Sequence, residues 1–148
     1  MTYKIRLAEI HDIDWIVKVA GRRMTHEELK KPDLYDPHTI QELALKSIRD
    51  QTTLVVSKDS HIIGVIGGVL VPHYLNRNQM TLAEIMWYVL PEHRSGRAGL
   101  MLLKGFADMA KQRAAKATLS LLGSSPISDK TLEKFGFKLA ERNYLMEN

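Results

Sequence analysis

Val89-Leu90-Pro91-Glu92-His93-Arg94-Ser95-Gly96-Arg97-Ala98-Gly99-Leu100 is the stretch that decides the fold. Upstream of it, Leu82 to Leu90 reads as a strand, and Pro91 stops it. Downstream, Leu100, Leu103, Ala107 and Ala110 mark one face of a long helix from about Gly96 to Ala114, which Leu102, Phe106 and Met109 widen. A strand, a proline turn, a short small-residue loop and a helix start follow in that order. A helix N-terminus exposes unpaired main-chain N–H groups and the positive end of the helix dipole. That combination suits a phosphate or diphosphate. Gly96, Ala98 and Gly99 let a ligand approach the backbone, and Arg94 and Arg97 add positive charge.

Working outward, the elements alternate. Tyr3 to Leu7 has strand periodicity, and Asp12 to Met24 reads as a helix through Ile13, Ile16, Val17 and Ala20. The stretch Thr25 to Pro37 is polar, holds two prolines and reads as partly loop. A second helix from about His38 to Arg49 is expected to bury Ile40, Leu43, Ala44 and Ile48. Thr53 to Ser57 and His61 to Pro72 form a hairpin around Lys58-Asp59-Ser60. Gly64, Gly67 and Gly68 inside the second of these strands signal a bulge or a close backbone approach. His73 to Gln79 reads as a loop, Thr118 to Leu122 as a short strand and Gly123-Ser124-Ser125-Pro126 as a loop. Ser128 to Phe135 reads as a short helix stopped by Gly136, and Phe137 to Met146 as one or two final strands. The expected order is β-α-α-β-β-β-α-β-α-β, an α/β fold with a mixed sheet.

The chain has 148 residues, which suits one domain over 1–148. It has no cysteine, so a disulfide, a thiolate metal site and an acyl-cysteine intermediate are all excluded. Its six histidines show no paired H-x-x-x-H spacing, and no metal is expected. No stretch reaches the ~20 apolar residues that span a bilayer. The N-terminus lacks a signal-peptide core, so a cytoplasmic protein is expected. The net charge of +4 suits an anionic partner. The basic residues are scattered with no aromatic platform between them, which favours a phosphorylated cofactor over nucleic acid.

Val89 to Leu100 resembles the acetyl-CoA motif of the GNAT N-acetyltransferases, which typically reads V-x-P-E-x-R-G-x-G-x-G before an apolar helix. Phe135-Gly136-Phe137 is similar to the family's late x-G-F signature. Gly64 to Gly68, Pro72-His73-Tyr74 and Ala83 to Trp87 resemble a subgroup often found in phage and prophage genomes. The resemblance implies an enzyme that transfers acetyl from acetyl-CoA, its co-substrate, directly to a primary amine. It implies that backbone groups of Val89 pair with the pantetheine arm and polarise the thioester carbonyl. It implies that backbone N–H groups of Ser95, Gly96, Arg97, Ala98, Gly99 and Leu100 cradle the diphosphate, helped by Arg94.

The chain departs from the motif in two places. Ser95 replaces a glycine, and Arg97 stands at another, so its side chain either points away or binds phosphate itself. Glu84, on the strand that ends in the motif, matches a family general base. A regular strand would aim Glu84 and Val89 to opposite faces, which a bulge would alter. The tyrosine that many members use to protonate the leaving thiolate is replaced by Leu132, leaving Tyr88, Tyr144 or solvent. That absence keeps open a second reading, a CoA-binding module without catalysis. His73 and Tyr74 are candidates to face the acceptor, as are His26, Glu27, Glu28 and Tyr35 in the stretch after the first helix. Trp15 and Trp87 read as core. A homodimer is the default assembly.

Overall fold

The computed structural model describes residues 2–123 and 125–148; Met1 and Ser124, the latter in the expected loop before the last helix, lie outside them. The element order is β1 (Tyr3–Leu7), a 3-10 turn (Ile10–Asp12), α1 (Ile13–Trp15), α2 (Pro37–Arg49), β2 (Thr53–Lys58), β3 (His61–His73), β4 (Asn76–Val89), a 3-10 turn (Pro91–His93), α3 (Ala98–Gln112), β5 (Lys116–Thr118) and α4 (Asp129–Lys134). Among the described residues five strands form one sheet in the order β1-β2-β3-β4-β5. The first four are antiparallel neighbours, and β5 joins β4 in parallel after α3 crosses over. The sheet is therefore mixed, as expected.

Both faces of the sheet are covered. On one side Ala98, Leu102, Phe106, Met109 and Ala110 of α3 pack on Leu54, Val56, Ile63, Ile66, Leu82 and Val89. On the other, Ile13, Ile16, Val17, Ala20 and Ala44 pack on Val55, Val65 and Tyr88. Alternation along β2 sends Leu54 and Val56 to one face and Val55 to the other. A strand covered on both faces is apolar on both, which explains the run Leu54 to Val56.

Several boundaries differ from the sequence reading. Helical structure does not end at Met24: α1 runs on into π-helical turns at Ile16–Gly21 and Met24–Glu28. A 3.6-residue period does not register such wider turns. In α2, Ala44 and Ser47 are buried, whereas Leu43 is exposed. The stretch His73 to Gln79 is mostly strand, because β3 and β4 continue as a hairpin arm that turns at Tyr74-Leu75. β5 sits at Lys116–Thr118, earlier than expected, and α3 is shorter at both ends. The closing strands over 137–146 are not formed. Phe137 packs on the core, but beyond it Leu139, Tyr144, Leu145 and Met146 are exposed. A strand needs an edge to join, and β5 offers only three residues.

The local turns follow the sequence closely. Asp59 and Ser60 both have positive φ, the two-residue hairpin turn that matches strand twist. Ser128 caps α4 by accepting from the Thr131 amide, and Gly136 at φ +92° ends it.

Candidate functional site

β4 pairs with β5 only over Thr81 to Ala83. Past that point the two strands part, and β4 runs on to Val89 with an open edge. The parting leaves a cleft of about 450 Å³. Glu84, Trp87, Tyr88 and Val89 line one wall, and Ser120, Leu121, Leu122, Ser125, Pro126 and Ile127 the other. Gly96, Gly99 and Leu100 border it beside α3, whereas Met24 and Glu28 border it beside the first helical stretch. Those two elements cover opposite faces of the sheet, so the cleft reaches both.

Main-chain geometry fixes what Val89 presents there. The Leu90 amide donates to the Ile63 carbonyl at 2.8 Å, while Val89 stands opposite Gly64. In an antiparallel ladder this makes Val89–Gly64 a non-hydrogen-bonded pair. The Val89 N–H and C=O therefore point away from β3, toward the open edge.

A bulge brings Glu84 to the same place. Gly67 pairs with Met86 and Gly68 with Glu84, so Ile85 is an extra residue on β4. Without it Glu84 would share a face with Met86 and Tyr88. With it Glu84 joins Leu82, Trp87 and Val89 on the α3 face. The bulge is packed tightly: a Cβ on Gly68 would lie 2.8 Å from Phe106 Cε1 and 3.0 Å from the Ala83 carbonyl. Glu84 is half-buried where the strands part, and its Oε1 accepts the Ser120 amide at 3.1 Å. Burial pushes its carboxyl up from the ordinary value, and the Ser120 bond only partly opposes this. A carboxylate so placed is a better proton acceptor than a fully solvated one.

The loop after β4 supplies an anion cradle. The Arg94 amide reaches the Pro91 carbonyl and the Gly96 amide reaches the His93 carbonyl, both at 3.3 Å. The amides of Ser95, Arg97, Ala98, Gly99 and Leu100 have no acceptor among the described residues. The first amide of α3 that is satisfied is Met101, which donates to the Arg97 carbonyl at 3.0 Å. Gly96 seats the loop on Tyr3, whose hydroxyl would be 2.7 Å from a Cβ there. Gly99 borders the cleft itself; a Cβ on it would meet only Val89 Cγ2, at 3.9 Å, and so would occupy ligand space. These features fit a diphosphate at the loop and a slender chain running past Gly99.

The two loop arginines are otherwise engaged. Arg97 lies over the Tyr3 ring, 5.1 Å from its centroid, so its side chain points away from the cradle. Arg94 folds back into the cleft. Its Nε donates to the Val89 carbonyl at 2.8 Å, its guanidinium pairs with Glu28, and it sits 5.2 Å from the Tyr88 ring centroid. Arg94 thus clasps the first helical stretch to the end of β4 and is not presented outward to a phosphate. Main-chain amides are left as the anion donors.

A family model described as acetyltransferase (GNAT) matches residues 9–137. The chain belongs to the acetyltransferase (GNAT) family. Its fold is similar to that of a predicted acetyltransferase from Clostridium acetobutylicum solved with acetyl-CoA, at 18% identity and TM-score 0.78 over 99% of this chain and 96% of that one. It is also similar to a ribosomal-protein-alanine N-acetyltransferase from Brucella melitensis, at 16% identity and TM-score 0.70 over 100% of both chains. A transcriptional regulator from Bacillus halodurans shares the fold at 16% identity and TM-score 0.73, over 99% of this chain and 100% of that one. No curated protein matches the chain in sequence.

Against this GNAT frame, the candidate residues divide. Glu84, Val89, Gly96, Gly99, Leu100, Arg94 and Glu28 all line the cleft. Ser95, Arg97 and Ala98 belong to the adjoining loop, with Ala98 itself buried. His73 and Tyr74 do not reach the site. They stack on each other, 4.8 Å between centroids, at the tip of the β3–β4 arm, where Tyr74 is 90% exposed. From Asn76 to Glu84 the strand covers roughly 25 Å. Tyr35 is also absent from the lining: its hydroxyl donates to the Val17 carbonyl at 3.1 Å and its ring meets His26 edge-on. Glu27 does not line the cleft; it stands near Arg23. Trp15 packs on the core as expected, whereas Trp87 is both core-packed and a cleft wall.

Neither tyrosine offered as thiolate acid is placed for it. Tyr144 is 85% exposed in the C-terminal segment. The Tyr88 hydroxyl is fully enclosed and has no hydrogen-bond partner among the described residues; the Arg23 guanidinium stands near it without reaching bonding geometry. Sequence reasoning missed Met24, Ser120, Leu121, Leu122, Ser125, Pro126 and Ile127 as lining residues. Only the parting of β4 and β5 brings them there, and no local pattern signals it. Among the described residues no group of His, Asp or Glu side chains assembles as a metal site. No helix among them is long and apolar enough to cross a membrane.

Proposed function

We propose that this protein is an acetyl-CoA-dependent N-acetyltransferase that acylates a primary amine directly, with Glu84 as general base. The Ile85 bulge carries the reading, because it turns the Glu84 carboxylate onto the face of Val89, whose main chain is aimed at the open edge. The diphosphate of acetyl-CoA rests on the amides of Ser95 and of Arg97 to Leu100, and the pantetheine arm passes Gly99 to the end of β4. The relative solved with acetyl-CoA supports the same co-substrate.

The steps follow from charge placement. An amine arrives as an ammonium and cannot attack until it loses a proton, which Glu84 accepts directly or through water. The nitrogen lone pair then forms a bond to the thioester carbon, and the carbonyl electrons move onto oxygen. The Val89 N–H is the main-chain donor available to that oxyanion. Collapse breaks the C–S bond, the nitrogen gives up its second proton to solvent, and the CoA thiolate takes one proton from solvent. Glu84 returns its proton to solvent, so the sum is amide, CoA thiol and one released proton.

Thiol release from acetyl-CoA across an amine panel tests this. Glu84→Gln is expected to lose about 10²–10⁴-fold in kcat/KM while still binding acetyl-CoA. Equal rates in the two proteins would refute the base assignment. The alternative is a CoA-binding module without turnover. It is favoured by Leu132 at the usual tyrosine position and by the enclosure of the Tyr88 hydroxyl. Acetyl-CoA binding without thiol release for any amine would establish that reading instead.

A further inference from the structure

We propose that Tyr3, Lys58 and Arg97 form a second anion site, outside the cleft, that takes the 3′-phosphate on the adenosine end of acetyl-CoA. This rests on the acetyl-transfer reading and adds a part of the co-substrate that the cleft does not hold. Tyr3 and Lys58 stand directly opposite each other on β1 and β2, so their side chains share a face. It is the face that α3 covers, because Tyr3 packs against the core beneath that helix. Two cations lie against the one ring: Lys58 Nζ is 5.5 Å from its centroid and Arg97 Cζ is 5.1 Å from it. Neither Lys58 nor Arg97 enters an ion pair among the described residues. The carboxylate next in sequence, Asp59, accepts the Thr2 amide at 3.0 Å. The ring attracts each cation but carries no net charge, so it leaves the two repelling each other. A phosphate dianion beside them offsets that repulsion, and a guanidinium meets phosphate oxygens with paired donors.

Position ties this cluster to the cradle. Gly96 borders the cleft and also abuts Tyr3, whose hydroxyl would be 2.7 Å from a Cβ there. Arg97 offers its amide to the cradle and lays its guanidinium on the Tyr3 ring, so the two anion sites are one side chain apart. In CoA the 3′-phosphate hangs from the ribose that carries the diphosphate, one sugar away. The two ends of a diphosphate lead apart. With the pantetheine arm passing Gly99, the ribose leaves on the side of Gly96 and Arg97. Arg97 is exposed, so it meets a ligand there without opening the core. The same placement gives a use to the arginine that stands where the family motif has a glycine.

Calorimetry at low ionic strength with acetyl-CoA and with its 3′-dephospho form tests this on the native protein and on the double variant Lys58→Gln, Arg97→Gln. Losing hydrogen bonds to a charged group costs about tenfold or more in affinity. The native protein is therefore expected to bind acetyl-CoA about tenfold or more tightly than the dephospho form. The double variant is expected to bring the two affinities within about twofold of each other. Lys4→Gln is the control. Lys4 is exposed and neighbours Tyr3 on β1, but alternation points its side chain to the other face. This variant removes one charge and is expected to keep the native preference. A native protein that binds both forms equally would overturn the subsite and leave the acetyl-transfer reading standing. The subsite would also fall if the double variant kept the full preference, or if Lys4→Gln lost as much of it, the mark of a diffuse field. No heat with either thioester would overturn the co-substrate reading and the subsite with it.

Discussion

Replacing Gly68 by alanine adds one methyl group at the point where the bulge meets the core. That Cβ would stand 2.8 Å from Phe106 Cε1, 3.0 Å from the Ala83 carbonyl oxygen and 3.1 Å from Leu82 Cδ1. Phe106 and Leu82 are both fully buried, and the Ala83 oxygen is main chain, so none of the three can yield freely. Overpacking of this kind costs about 1–3 kcal/mol. For a domain of this size that corresponds to a melting temperature lower by roughly 2–12 °C. The strain is relieved most directly by moving β4 away from β3 at Glu84, the residue paired with Gly68. A displacement of about 1 Å at a catalytic group can cost ~10²-fold in rate. Gly68→Ala is therefore expected to lose tenfold to a hundredfold in kcat/KM at 25 °C, where the variant is still folded. Thermal melts and thiol-release kinetics on the same preparation provide the readout. A variant that melts lower yet keeps its full rate would show that the bulge does not position Glu84. One that melts like the native protein would show that the packing around Gly68 is looser than described.

Other perturbations separate structure from chemistry. Asp12 is buried and takes two hydrogen bonds from Arg6 and one from the Glu9 amide. Burial pushes its carboxyl up, but Arg6, the Glu9 amide and His11 together outweigh this and hold it below 3.8. A carboxyl lowered in the folded state stabilises fully above its unfolded value and loses that contribution as the pH falls toward its folded value. Asp12→Ala should cost about 2–4 kcal/mol in urea unfolding at pH 7, less as the pH falls below 4, and leave kcat/KM unchanged at 25 °C. Glu84 has the opposite sign: its carboxyl is raised, so burying the charge costs stability above the folded value. Glu84→Gln should then melt no lower than the native protein at pH 8, and the native rate should rise with pH through the raised value while the residual rate of the variant does not share that step. Tyr74→Ala, at the far tip of the arm, should change neither acetyl-CoA affinity nor turnover; a tenfold effect would bring the arm back to the acceptor.

Features set by neighbouring residues were legible in the sequence. The Asp59-Ser60 turn, the Gly136 stop and the turn at Pro91 each depend on a few consecutive residues, and each formed where expected. The alternation of β2 and β3 with α2 and α3 likewise follows from periodicity. What failed was non-local. Phe137 to Met146 has strand-like composition, but a strand exists only where an edge receives it. The glycines at 64, 67 and 68 announced an irregularity, yet not that the extra residue would be Ile85 on the partner strand. That detail decides which way Glu84 faces. Arg94 was legible as a loop cation, but its turn inward to Glu28 and Val89 depends on a helical stretch more than sixty residues away.

The central claim is that the cleft between β4 and β5 holds acetyl-CoA beside Gly99, on the main-chain amides that open α3. Calorimetric titration of acetyl-CoA into the native protein and into Gly99→Leu tests it most directly. The leucine has room to be accommodated without disturbing the core, since the nearest atom to its Cβ is 3.9 Å away. The prediction is one site in the native protein with a Kd in the range of about 1 µM–1 mM, and at least tenfold weaker binding in an equally stable variant. No heat with the native protein, or the same affinity in both, would contradict the account.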